Sequence, residues 1–242
     1  MTDLVLIHGW GTHPVIWDPL IANLPSKWKV HNLPLPGYAG TASGAQYGLD
    51  DLAEALLPQL PDDAMLVGWS LGGLVAMHIA YRWPEKLRGL ALIGATPCFV
   101  TRPDWPHAVA PDVFDGFAES LAQNYAETLR RFLGLQAQGS ASMRVVLREM
   151  RTRLISLPRP SDKVLRAGLE ILQKSDLRSS LPFLPINVVH GSGDRLAPIE
   201  AARWLTQRSK TARLLEIRGA GHAPFLSHPV EVAAFLAEAA DV

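Results

Sequence analysis

The sequence predicts an α/β protein: a mostly parallel sheet of about six strands, with helices on both faces and an inserted helical cap. Three observations carry this. Short runs rich in Val, Leu and Ile alternate with longer helical patterns, the rhythm of a doubly wound sheet. The short runs are apolar almost throughout, which suits parallel strands covered on both faces. One long stretch, residues 98–174, breaks the rhythm with helical patterns alone.

Leu4–Ile7 reads as the first strand and Val30–Leu33 as the second. The chain starts almost directly on the first strand, so no antiparallel edge is expected. Leu49–Gln59 follows with helical spacing, then Met65–Val67 as a strand and Leu71–Trp83 as a helix stopped by Trp83-Pro84. Gly89–Ile93 is the fourth strand. Candidate helices in the insertion are Asp112–Asn124, Ala126–Ala137, Ala141–Leu157 and Asp162–Lys174, separated by Pro, Gly and Ser. Ile186–Val189 resumes the sheet, Asp194–Pro198 is a turn, and Glu200–Arg208, Leu214–Ile217 and Val230–Ala239 close the pattern. Residues 1–97 and 175–242 therefore form the core and 98–174 the cap. Such an insertion covers the carboxyl ends of the strands, where open α/β sheets bind ligands.

Of the 242 residues 48% are hydrophobic and 19% charged, so the chain can build a sizeable core. Lys plus Arg equal Asp plus Glu at 23 each, and nothing global points to nucleic acid. The one cysteine, Cys98, excludes an internal disulfide and fits a reducing compartment; it reads as a packed small residue. The few apolar residues at the N-terminus make neither a signal-peptide core nor a membrane span. A cytoplasmic protein, monomeric and without membrane association, is the expectation.

Residues 66–73 read Leu-Val-Gly-Trp-Ser-Leu-Gly-Gly, a G-x-S-x-G pattern between a strand and a helix. A serine on so tight a turn is strained, and Gly68 and Gly72 remove side chains that would clash. The turn lifts the Ser70 hydroxyl out of the sheet beside the N–H groups of a helix N-terminus. A serine needs a base, and the base an orienting carboxylate. His222, in the glycine-flanked loop Gly219-Ala220-Gly221-His222, and Asp194, in Gly191-Ser192-Gly193-Asp194, each follow a strand. The order Ser, Asp, His is one of the known chain orders of a catalytic triad. The oxyanion donors are then the Leu71 N–H and, from His8-Gly9-Trp10-Gly11, the Trp10 N–H. His228 is the rival base, but it reads as a helix start; His8 and His190 read as loop anchors.

These residues resemble the α/β-hydrolase superfamily along essentially the whole chain. The strings H-G-W-G, G-W-S-L-G-G-L-V-A, T-P-C-F before D-W-P, R-F-L-x-L-Q, G-L-E-I-L and G-H-A-P-F-x-S-H-P resemble its pimeloyl-[acyl-carrier protein] methyl ester esterases of biotin synthesis. The resemblance implies a serine carboxylesterase with no metal or organic cofactor, releasing methanol through an acyl-enzyme on Ser70. It implies substrate contacts at Trp10 and Phe132, and an acyl-carrier protein, bearing a methyl-pimeloyl chain, as partner. It also implies cap arginines that hold this carrier, with Arg131, Arg144, Arg148 and Arg151 as the candidates. Glu127 stands where the family carries a further arginine.

Charge patterning bears on that partner. Between Arg130 and Arg166 nine basic residues face two acidic ones, a net +7 in a neutral chain. Arg144, Arg148 and Arg151 follow i, i+4, i+7 spacing on one helix face, beside an apolar face of Met143, Val146, Leu147, Met150 and Leu154. A solvated face and a dock for an acidic partner both fit this stripe; the family resemblance favours the dock. Three alternatives remain beside the carrier-linked esterase. They are a general short-chain esterase acting on small-molecule esters, a C–C hydrolase with the same triad, and a binding module without turnover. A dehalogenase is disfavoured because the elbow holds a serine rather than a carboxylate.

Overall fold

The computed structural model describes residues 2–154 and 156–240. Six strands form one sheet: β1 (Asp3–Ile7), β2 (Lys29–Leu33), β3 (Ala64–Trp69), β4 (Leu87–Ile93), β5 (Ile186–Gly191) and β6 (Ala212–Ile217), in the order β2-β1-β3-β4-β5-β6. Every neighbouring pair is parallel, as the uninterrupted apolar runs predict. Successive residues of β1 enter opposite cores: Val5 and Ile7 join one apolar cluster, Leu4 and Leu6 the other. Each such buried side chain contributes roughly 1.5–3 kcal/mol. The edge strands β2 and β6 are only partly buried.

The helices are α1 (Asp18–Ile21), α2 (Leu49–Leu56), α3 (Leu71–Arg82), α4 (Asp112–Gln123), α5 (Tyr125–Ala137), α6 (Met143–Leu154), α7 (Asp162–Lys174), α8 (Ile199–Arg208), α9 (Pro224–Ser227) and α10 (Pro229–Ala240). Helices α2, α3 and α8 pack on the Val5 face, and α1, α9 and α10 on the Leu4 face. Helix α3 stops at Arg82 because Pro84 disfavours helical backbone at Trp83. Between β4 and β5 lie the four helices α4–α7. The Asn124 side chain caps α5 and Ser161 caps α7, each accepting a first-turn N–H. The expected helix Ala141–Leu157 forms as α6; its Ile155 lies outside the described residues.

The apolar face of α6 is covered unevenly. Val146, Met150 and Leu154 are buried, but Met143 is 39% exposed. It stands at the first position of the helix, where the apolar stripe has not yet reached the core. Among the described residues no helix is long and apolar enough to cross a membrane.

Candidate active site

The chain brings its chemistry together at the carboxyl ends of β3, β5 and β6. Ser70 stands between β3 and α3, as the N-cap residue of the helix, with φ +55° and ψ −120°, a conformation that L-residues rarely adopt. The local glycines make this possible. A Cβ on Gly68 would lie 2.3 Å from the Gly72 carbonyl oxygen, and one on Gly72 would lie 2.3 Å from that of Ile7. Ser70 is 3% exposed, and its backbone is tied to β4 by its N–H donating to the Ile93 carbonyl at 3.2 Å.

Asp194 and His222 meet through two loops that zip together. Ser192 N–H donates to Ile217 O at 3.0 Å, and Gly193 N–H to Ala220 O at 2.9 Å. His222 Nδ1 then lies 2.8 Å from Asp194 Oδ2, with both side chains fully buried. Asp194 Oδ1 accepts the Leu196 and Ala197 N–H groups at 2.9 and 3.0 Å. Burial alone raises a carboxyl's pKa. Here the His222 charge and hydrogen bonds with His190 and His222 overcome it, holding Asp194 well below the usual carboxylate range. The remaining base nitrogen, His222 Nε2, is buried and makes no hydrogen bond within the protein, so it does not reach Ser70 Oγ here. Catalytic hydrogen bonds are often long without substrate and tighten in the Michaelis complex. His228, the rival, stands just ahead of α10 with its Nδ1 2.8 Å from Ser227 Oγ and belongs to the helix start.

The loop after β1 lies against the serine: a Cβ on Gly9 would sit 3.1 Å from Ser70 Cβ. Trp10 follows Gly9 in this loop, and Leu71 follows Ser70 as the first residue of α3. His8 fixes this loop. Its Nδ1–H donates to Gly9 O at 2.9 Å, while Nε2 accepts the Leu35 N–H at 3.2 Å. Complete burial depresses its pKa to about 4, so the ring is neutral.

Segment α4–α7 touches the loop after β1. The Trp10 indole, 1% exposed, donates to Leu165 O on α7 at 2.7 Å and meets the Phe132 ring at 4.5 Å. Phe132, also 1% exposed, meets Phe117 at 5.2 Å. Phe117 lines a surface cavity of about 450 Å³ with Val113, Gly116, Leu135 and Arg131. Arg131 is exposed and donates to Ser120 Oγ at 3.4 Å. Arg144, Arg148 and Arg151 are all exposed on α6; Arg148 Nε is 3.9 Å from Glu149 Oε1. Cys98 is buried and free, its Sγ donating to Val100 O.

Two features have no simple sequence signal. The end of α5 and the α5–α6 connection are clamped on the His222 loop: His222 N–H donates to Gln136 O at 3.2 Å, and Ala141 N–H to Gly219 O at 2.8 Å. A Cβ on Gly139 would lie 1.8 Å from Gly193 O. His190 also reaches Asp194, its Nε2 lying 3.3 Å from Oδ2.

Residues 4–235 match a family model described as the alpha/beta hydrolase family. A pimeloyl-[acyl-carrier protein] methyl ester esterase of Aromatoleum aromaticum is 45% identical over 97% of this chain and 96% of its own length. One of Nitrosomonas europaea is 40% identical over 94% and 91%. Among solved structures, an esterase from Exiguobacterium antarcticum superposes with a TM-score of 0.89 at 20% identity, covering 100% of this chain and 92% of its own. A bromoperoxidase from Bacillus anthracis gives 0.88 at 17%, with the same coverage. At those identities the two structures speak for the fold alone.

Proposed function

The chain belongs to the alpha/beta hydrolase family, and from that premise we propose that it is a serine carboxylesterase that hydrolyses the methyl ester of pimeloyl-[acyl-carrier protein]. The observation that carries the reading is the Asp194–His222 pair beside the strained Ser70, in a chain 45% identical to an esterase of that name. In this mechanism Ser70 Oγ attacks the ester carbonyl carbon while His222 Nε2 takes its proton. The Leu71 and Trp10 N–H groups hold the oxyanion. Collapse expels the methoxy group, which takes the proton from His222 and leaves as methanol. Water, deprotonated by the same nitrogen, then attacks the acyl-Ser70 ester and frees the carboxylate.

Residues 98–174 act as the cap in this reading. Arg131, Arg144, Arg148 and Arg151 present exposed positive charge to an acidic carrier protein, steering its approach. The Phe117–Phe132–Trp10 line leads from the Arg131 cavity to the oxyanion loop and offers an apolar path for the acyl chain.

A fluorophosphonate probe tests the chemistry. Mass spectrometry should find the adduct on Ser70, and Ser70→Ala should lose both labelling and esterase activity. Labelling elsewhere, or an active Ser70→Ala variant, contradicts the proposal.

A further inference from the structure

The carboxylate of Asp194 faces two imidazoles. His222 Nδ1 lies 2.8 Å from Oδ2, and His190 Nε2 lies 3.3 Å from the same oxygen. His190 Nε2 is closer still, at 2.5 Å, to the carbonyl oxygen of Ala197. Both neighbours of Nε2 are acceptors, so this nitrogen must carry the proton. The other nitrogen, Nδ1, is buried and makes no hydrogen bond within the protein. His190 therefore donates from Nε2–H, completely buried at the end of β5.

Its position makes it a staple. The Ala197 N–H donates to Asp194 Oδ1, and the Ala197 carbonyl accepts from His190. The backbone of one residue thus ties the carboxylate to the loop and the loop back to the strand. The charged groups around the ring are few. Asp194 and His222 are on the loops. Glu216, in register with His190 on β6, is paired with Arg203 of α8 at 2.8 Å.

Resting on the triad reading above, we propose that His190 is a positioning residue for the catalytic acid: it fixes the Asp194 carboxylate and shares Oδ2 with the base. Removing it frees Oδ2 to interact with His222 alone. The imidazolium form of His222 gains stability, and the acid limb of the pH–rate profile moves to higher pH.

His190→Met removes the donor at similar volume, and His190→Gln restores an amide N–H. With p-nitrophenyl acetate, His190→Met should lose kcat/KM by about 10- to 100-fold, the range seen for partners that orient metal-bound histidines. Its acid limb should move up in pH, while His190→Gln should recover most of the rate and the wild-type limb. An unmoved limb in a folded His190→Met protein, or equal losses in both variants, overturns the proposal. Nitrogen-15 histidine spectra of the wild type provide the test if His190→Met does not fold. His190 should carry a proton on Nε2, and an Nδ1–H tautomer with bare Nε2 overturns the proposal. Fluorophosphonate labelling separates the two readings: a wild type that fails to label at Ser70 sinks the triad, whatever His190 does.

Discussion

The buried His8 gives the loop after β1 a pH dependence whose size follows from the structure. Folded, its pKa is about 4; exposed in the unfolded chain it returns to the ordinary 6.5. Between those values the unfolded state binds the proton and the folded state does not, so stability rises with pH through this window. The contribution is complete above about pH 6.5 and is lost progressively as pH falls toward 4. Taking both values, lowering pH from 7.5 to 5.0 costs about 2 kcal/mol through this one group. The perturbation is His8→Gln, which keeps amide hydrogen bonding but does not titrate. Urea unfolding of both proteins at the two pH values isolates the term, because the other histidines are common to both. The stability difference between wild type and variant should change by about 2 kcal/mol in favour of the variant on acidification. With m of about 2–3 kcal/mol/M, the midpoint moves by about 0.7–1 M urea. A difference that stays constant within about 0.5 kcal/mol refutes the reasoning and means His8 is not held neutral by burial.

Other outcomes follow from the same geometry. Asp194→Asn places an amide nitrogen where Oδ2 meets His222 Nδ1, forcing the wrong tautomer; turnover should fall on the order of 10⁴, as in the serine protease case, with the melting temperature nearly unchanged. Gly72→Ala drives a Cβ to 2.3 Å from the Ile7 carbonyl and should cost about 3 kcal/mol or more, seen as a fall of roughly 6–12 °C in Tm. Arg144→Glu with Arg148→Glu should cut kcat/KM for a carrier-bound ester about tenfold and weaken its salt dependence; p-nitrophenyl acetate should be turned over as before.

The strands and the long helices were legible because burial on both faces leaves an unbroken apolar signature, as in β3, where all six residues are buried. The elbow was legible because its glycines stand two residues either side of the serine. Asp194 and His222 were legible from their loops, and the structure places them 2.8 Å apart. The clamp of Gly139 on Gly193 was not, because two glycines far apart in sequence say nothing of their approach. Nor was the second role of His190: the i, i+4 spacing to Asp194 matters only because the loop doubles back to put both side chains on one carboxylate oxygen. Trp10 was singled out for its N–H and for contact with substrate. The structure adds its indole bond to Leu165, which pins α7 to the loop after β1.

The most direct test of the account is kcat/KM on pimeloyl-carrier-protein methyl ester beside dimethyl pimelate, with Ser70→Ala as control. The account predicts a strong preference for the carrier-bound ester and no turnover in the control. Equal efficiency on the free diester would contradict it, leaving a serine esterase whose arginine-rich face has no part in choosing its substrate.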